Sequence, residues 1–568
     1  MRPPRIVVEA LVPFLVLLCA PGPMLSAQNS RNNEPPVFTR ADTLRGMLRP
    51  ERTCYDVRWY DLDVRIDPER RFISGSNTIR FTAMEVSSRL QVDLFANMTL
   101  ESATLDGSPP LHFTREYNAV FITLEKPLRP GTTYSLLLKY SGNPQVAKNP
   151  PWDGGMIWTK DSSGNPWVAV ACEGTGASLW WPNKDHLSDE PDSMRIRVTV
   201  PPGLEDVSNG RLRGVTTLPD GWRRFDWAVT YPINNYCVTV NVGKFSHFGE
   251  TYTGEDTVTL DYYVLPEDLA KAEKQFTQVK PMFACYEKVF GPYPFARDGY
   301  KLVQSPHLGM EHQSAVAYGN GFRNGYRGTS SSPWGLKFDF IIIHESAHEW
   351  WGNGVTAKDI ADMWIHESFG AHAEAMYVEC LFGKQAMLEY VNSKKPQVLN
   401  QRPILGVYNV NNEGAGDMYP KGSLMLNTLR GVMDNDSLWF AVMRGMSMEF
   451  RYKTITTADI VAYVNRAAGT DYTYFFDQYL RYPAIPKLEV FVIERGGNLK
   501  CRYRWRADVK DFRMPVRVTT TPGKFAFIHP TTEWQTMDLG SMDPKEFRYD
   551  EDWFYIDTQI RTMYQNAE

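Results

Sequence analysis

His344-Glu345-Ser346-Ala347-His348 is followed, after eighteen intervening residues, by Glu367. On a helix, residues four apart share a face about 6 Å apart, so the imidazoles of His344 and His348 can converge on one ion. Two neutral nitrogens hold zinc poorly, and a carboxylate from a second helix, Glu367, completes three protein ligands. The fourth tetrahedral position then stays open to water, which is the arrangement of a catalytic site and not of a structural one. Glu345, next to His344, points to another flank, where its carboxylate can take the proton of that water as a general base. The expected cofactor is one zinc ion per chain.

The surroundings place this motif in a core. An apolar run, Phe338 to Ile343, precedes it, and Trp350 and Trp351 follow before Gly352-Asn353 is expected to end the helix. A length of 568 residues is too great for one core and predicts three or four domains. With 61 Lys and Arg against 66 Asp and Glu, the net charge of −5 gives no basic footprint and argues against a nucleic-acid partner. No low-complexity segment or repeat interrupts the chain.

Residues 1–27 read as a secretory signal: Arg2 and Arg5, an apolar stretch from Leu11 to Ala20, then Pro21 to Ala27 as a small-residue cleavage region. An apolar run of that length is too short to span a bilayer, and Pro13 interrupts it, so no stable membrane span is expected. Leu17-Leu18 before Cys19 is a poor match to a lipoprotein box. The expectation is export, to a periplasm or the outside of the cell. Six cysteines remain beyond the signal: Cys54, Cys172, Cys237, Cys285, Cys380 and Cys501. Their wide spacing is no disulfide scaffold and no zinc knuckle, and their pairing is open.

Residues 28–50 read as a linker. From 51 to 248, short alternating strands such as Arg58–Ile66, Asn77–Phe81 and Arg195–Val200, separated by turns at Asp106-Gly107 and Asn209-Gly210, predict an antiparallel β domain. Residues 249–483 turn mainly helical and hold the zinc motif. Residues 484–568 return to strands, as in Leu488–Ile493 and Cys501–Trp505, and predict a small C-terminal β-sandwich. The fold class is multidomain α+β.

The order of these features resembles the aminopeptidase N and leukotriene hydrolase family of zinc metallopeptidases, the gluzincins with HExxH and an eighteen-residue spacer to Glu. Gly309-Met310-Glu311 stands where that family has Gly-x-Met-Glu-Asn, and Tyr419-Pro420-Lys421-Gly422 is similar to its Tyr-Glu-Lys-Gly. Trp181-Pro182-Asn183-Lys184-Asp185 with Ser188 to Pro191 matches a segment at the β-domain edge of the cleft, and Glu173, nine residues before Pro182, falls where relatives line the first pocket. The resemblance implies a thermolysin-like catalytic domain and peptide substrates. It implies that Glu173 and Gly309, Met310 and Glu311 bind the substrate, the two carboxylates holding its free amine, and that Tyr419 donates to the oxyanion.

Three positions depart from the pattern. Leu308 replaces a Gly, His312 an Asn, and His366 the Asn before the third ligand. The two histidines either tune the site or are satisfied buried rings. Glu374, seven residues beyond Glu367 and so on the same helix face, is a candidate partner for a zinc ligand. The family's larger members add a long helical C-terminal domain, whereas this chain stops after the β-sandwich, which predicts a less enclosed cleft or closure by another subunit. The expected function is a zinc aminopeptidase; the alternatives are a gluzincin endopeptidase and a catalytically silent peptide-binding protein. Side-chain preference, physiological substrate and oligomeric state are not readable.

Overall fold

Alternation of apolar and polar residues decides the first third of the molecule. In the computed structural model, which describes residues 37–495 and 498–565, the strand Tyr55–Asp67 buries Tyr60, Leu62, Val64 and Ile66 on one face. It lies within a seven-stranded sheet, pairing antiparallel with Phe72–Ala83 on one side and parallel with Ser193–Val200 on the other. A three-stranded sheet (Arg89–Asp93, Ala119–Thr123, Phe113–Glu116) and a four-stranded sheet (Glu205–Ser208, Val240–Gly243, Pro166–Ala171, Gly155–Lys160) supply residues to the same apolar core. The predicted secretory signal and Cys19 lie outside the described residues.

The hairpin Ser246–Thr253 and Thr257–Val264 opens a five-stranded mixed sheet, so the boundary read at 248 falls inside a strand. That sheet continues through Tyr300–Gln304 and Val316–Tyr318 to the two-residue edge strand Gly309–Met310. The helical layer follows, and its two central members are the motif helix Phe340–Ala347 and the helix Trp364–Phe382. The second of these is buried on every side from Trp364 to Val378, as expected for the central member of a helical layer. A disulfide, Cys285–Cys380, ties it to the helix Val279–Phe290, while Cys54, Cys172, Cys237 and Cys501 are buried free thiols.

The last strands form a four-stranded sheet (Gln535–Gly540, Asn498–Arg506, Lys487–Arg495, Asp557–Gln565) and a ribbon (Val516–Thr521, Lys524–Ile528). Leu488, Val490, Trp505, Val516 and Val518 from both belong to one apolar cluster that is continuous with the helical layer. No long helical layer follows among the described residues, and none of their helices is long and apolar enough to cross a membrane. A short helix, Arg40–Gly46, closed by a Thr39–Asp42 capping box, lies within the stretch read as a linker.

The Trp181–Asp189 segment is stitched to the first strand by buried polar groups. The Lys184 ammonium donates to the Tyr55 carbonyl at 2.6 Å and to Asp189 at 2.5 Å, and Asp189 also accepts the Val57 N–H. The Asn77 amide donates to the Pro182 carbonyl at 2.8 Å. Removing one member of a buried ion pair leaves the other charge uncompensated. Asp189→Ala should therefore cost about 3–5 kcal/mol of stability in urea unfolding, and Lys184→Met combined with Asp189→Leu should cost less.

Candidate active site

The motif helix starts at a dense polar anchor. Asp339 accepts from the Ile341 N–H at 3.1 Å as N-cap, and its carboxylate also accepts from Gln275, Tyr318 and Asn320 at 2.7–2.8 Å. The helix ends sooner than the sequence suggests, at His348 and not after Trp351. Its backbone bonds tighten at Trp350 (to Ala347) and then widen at Asn353 and Gly354, which reach back five residues to His348 and Glu349. The unwinding has a function in the site: it turns the Trp351 carbonyl back to accept from His348 Nδ1 at 2.9 Å.

On the other ligand, His344 Nδ1 meets Glu374 Oε1 at 2.7 Å. With both Nδ1 atoms committed to acceptors, both Nε2 lone pairs face inward, 3.4 Å from each other. Glu367 Oε2 stands 3.6 Å from His344 Nε2 and 3.7 Å from His348 Nε2, buried and without any donor. Three acceptors converging with no hydrogen between them is an arrangement that a cation satisfies. Ligands about 2.0–2.2 Å from a tetrahedral ion stand roughly 3.3–3.6 Å apart, so this set fits Zn2+, held by His344, His348 and Glu367.

Glu374 is pinned in turn. Its second oxygen accepts from the Tyr390 hydroxyl at 2.6 Å and the Lys394 ammonium at 2.7 Å. Burial alone would raise its carboxyl, but Lys394 and His344 outweigh this and hold it at about 2. It is the carboxylate that orients a zinc-binding imidazole.

Close approaches leave no room for side chains at three glycines. A Cβ on Gly370 would stand 3.0 Å from His348 Cε1, one on Gly422 would stand 1.9 Å from Ser368 Oγ, and one on Gly309 would stand 2.8 Å from Glu345 Oε1. The first two let the helix Trp364–Phe382 approach the motif helix and the helix Pro420–Met433. The third sets the edge strand directly against Glu345. Burial raises the Glu345 carboxyl to about 8, opposed by His344. A dication at the ligands would pull it down toward the range in which a base works at neutral pH.

The structure gathers the remaining expected residues around this point. Glu173, Glu311 and Glu367 each offer an oxygen within 4.8 Å of the others. Glu173 stands in the turn after the strand Pro166–Ala171, where Gly174 and Gly176 take positive φ. The Tyr419 ring stacks on His344, its centroid 6.0 Å away, and desolvation together with Glu367 and Glu173 keeps its phenol protonated. Pro420, a departure from Tyr-Glu-Lys-Gly, sits at the first turn of its helix, where a missing N–H costs nothing. Lys421 donates to the carbonyls of Tyr482 and Pro483, away from the site.

The departures resolve differently. Leu308 is buried in the helical core and leaves Gly309-Met310-Glu311 in place. His366 is a satisfied ring, accepting the Ala357 N–H on Nε2 at 2.8 Å and meeting the Tyr236 hydroxyl through Nδ1 at 3.3 Å. His312 is fully buried with neither nitrogen bonded among the described residues. Sequence reasoning missed two residues. Tyr236 donates to Glu311 Oε1 at 3.0 Å, and Glu413, exposed, brings a fourth carboxylate to within 3.8 Å of where a Cβ on Gly174 would lie.

Residues 275–479 match the peptidase family M1 domain. The chain carries a peptidase family M1 domain. It is 23% identical over 449 residues to endoplasmic reticulum aminopeptidase 1 of Rattus norvegicus, covering 75% of this chain and 45% of that protein. To aminopeptidase N of Lactobacillus helveticus it is 23% identical over 481 residues, covering 78% and 52%. The chain thus spans about half the length of these relatives. An M1 zinc metallopeptidase from Deinococcus radiodurans, solved with a Tyr-Ser-Ala substrate, superposes with a TM-score of 0.63 at 23% identity, covering 75% of this chain and 94% of that one. That likeness extends the shared fold from the M1 domain to most of the chain, and the resemblance to the aminopeptidase N family holds.

Glu374→Gln tests the zinc site apart from turnover. It should weaken zinc about 10–100-fold in competition with a chelator, with the helical layer intact by circular dichroism.

Proposed function

We propose that this protein is a zinc-dependent aminopeptidase that removes N-terminal residues from peptides. The observation that carries this is the placement of Glu173 and Glu311 beside Glu367. Carboxylates gathered in a largely buried cleft, beyond those the metal needs, call for a second cation, and the α-ammonium of a peptide is one. An amine held there would set the first peptide bond near the metal ligands. The names of the aminopeptidase relatives point the same way.

Zinc, when bound, polarises the scissile carbonyl and makes a water acidic. Glu345 takes the proton of the attacking water and can deliver it to the leaving amine. The Tyr419 hydroxyl, kept protonated, donates to the oxygen that gains charge in the tetrahedral intermediate. Gly309 and Met310 lie on the free edge of the five-stranded sheet, where unpaired backbone groups can bond an extended peptide. Export to a periplasm or the cell exterior belongs to the same reading, and the disulfide between Cys285 and Cys380 suits an oxidising compartment.

Release of amino acids from matched free and N-acetylated peptides, with and without a zinc chelator, tests the proposal. Cleavage of only the free peptides, abolished by the chelator, is expected. Internal cleavage of acetylated peptides would make the protein an endopeptidase, and no cleavage by folded, zinc-loaded protein would leave a binding role. Glu345→Gln should lower kcat about 10²–10⁴-fold. Tyr419→Phe should lower it about 10²–10³-fold with KM little changed, the signature of a bond made in the transition state.

A further inference from the structure

Glu311 carries the amine-binding role in the reading above, yet a glutamate side chain has three rotatable bonds, and this one lies within 4.8 Å of Glu367, a residue that would hold a dication. An unrestrained carboxylate at that distance is drawn to the metal and lost to the substrate. Among the described residues, one side chain donates to the Glu311 carboxylate, the Tyr236 hydroxyl, at 3.0 Å.

Tyr236 is itself held on both sides. It belongs to the short turn Asn235–Cys237 that leads into the strand Val240–Gly243, and its N–H donates to Asn234 Oδ1 at 3.3 Å. Its hydroxyl lies 3.3 Å from His366 Nδ1. The backbone N–H of Ala357 can only donate, and it meets His366 Nε2 at 2.8 Å, so the ring proton sits on Nδ1 and points at Tyr236. The Tyr236 oxygen then accepts from His366, and its own proton is free for Glu311. The resulting chain runs from the Ala357 N–H through His366 and Tyr236 to Glu311. Asn353 fixes the same residue from behind, donating to the Glu311 carbonyl at 2.8 Å.

We infer that Tyr236 and His366 are positioning residues for the amine-binding carboxylate, holding Glu311 at a fixed separation from the zinc-ligand helix. The inference rests on the aminopeptidase reading. His366 directly precedes the ligand Glu367, Tyr236 comes from the N-terminal β region, and Glu311 follows the edge strand. One hydrogen-bonded chain therefore links the three parts of the molecule that must agree on the distance from amine to metal. Neither residue need touch the substrate.

The test uses the zinc-loaded full chain carrying Glu345→Gln to silence turnover. L-leucyl-glycine and its N-acetyl derivative are titrated by calorimetry, with zinc content and melting temperature measured alongside. Adding Tyr236→Phe, which keeps the ring and removes the hydroxyl, should weaken the free dipeptide about 10-fold or more and leave the acetylated one unchanged, at full zinc occupancy. His366→Phe should do the same. His366→Asn, which keeps an N–H near the place of Nδ1 but loses the acceptor for the Ala357 N–H, should restore part of the binding, a rescue that a purely structural role would not give. With Glu345 restored, Tyr236→Phe should raise KM for free peptides more than it lowers kcat.

A Tyr236→Phe protein that keeps the parent's preference for the free amine would overturn the inference and leave the aminopeptidase reading standing. A parent protein that binds free and acetylated dipeptides equally would overturn both.

Discussion

Three acceptor atoms, His344 Nε2, His348 Nε2 and Glu367 Oε2, stand 3.4–3.7 Å apart in a buried space with no donor among them. A cation between them relieves their mutual repulsion, and a zinc ion bound there would do so while being held by all three. Each surrounding group answers to that constraint. Glu374 and the Trp351 carbonyl hold the imidazoles with their lone pairs inward, and Lys394 neutralises Glu374 so that it can stay buried and charged beside His344. Carboxylates outnumber the buried ammonium groups around the ligands.

Steric permission is the second condition. Gly370, Gly422 and Gly309 carry no side chain because His348, Ser368 and Glu345 occupy the space where one would go. Two of them let helices pass closely enough for ligands from two segments to meet. The third brings the edge strand Gly309–Met310 directly against Glu345, the residue proposed as the base.

His344 and His348 could be read as a pair because a four-residue spacing on a helix converts directly into a shared face, whereas Glu367, on a second helix, was legible only through the eighteen-residue spacer of the family pattern. Glu374 was legible for the same reason as the histidine pair. The strand regions were visible through alternation, and Cys285–Cys380 was not, since a pairing across 95 residues leaves no local trace. Tyr236 stayed hidden on the same ground: its partners lie 75 and 130 residues away, and nothing in Asn234-Asn235-Tyr236-Cys237 marks a phenol aimed at a cleft. The early end of the motif helix was also out of reach. Trp350 and Trp351 continue an apolar helical pattern, while the bond that the unwound backbone makes, from His348 Nδ1 to the Trp351 carbonyl, leaves no mark in the sequence.

His366 shows how a departure from a family pattern can be absorbed. An imidazole has two nitrogens with opposite roles when neutral, and the Ala357 N–H fixes which is which. The other nitrogen then has a single direction in which to donate, toward Tyr236. Asparagine at this place would also offer an N–H, but with no second ring nitrogen to accept from Ala357 its amide would be free to turn over. The histidine therefore trades a flexible amide for a ring whose tautomer is dictated by backbone, and a dictated tautomer is what a chain of donors needs if its last member is to face a carboxylate.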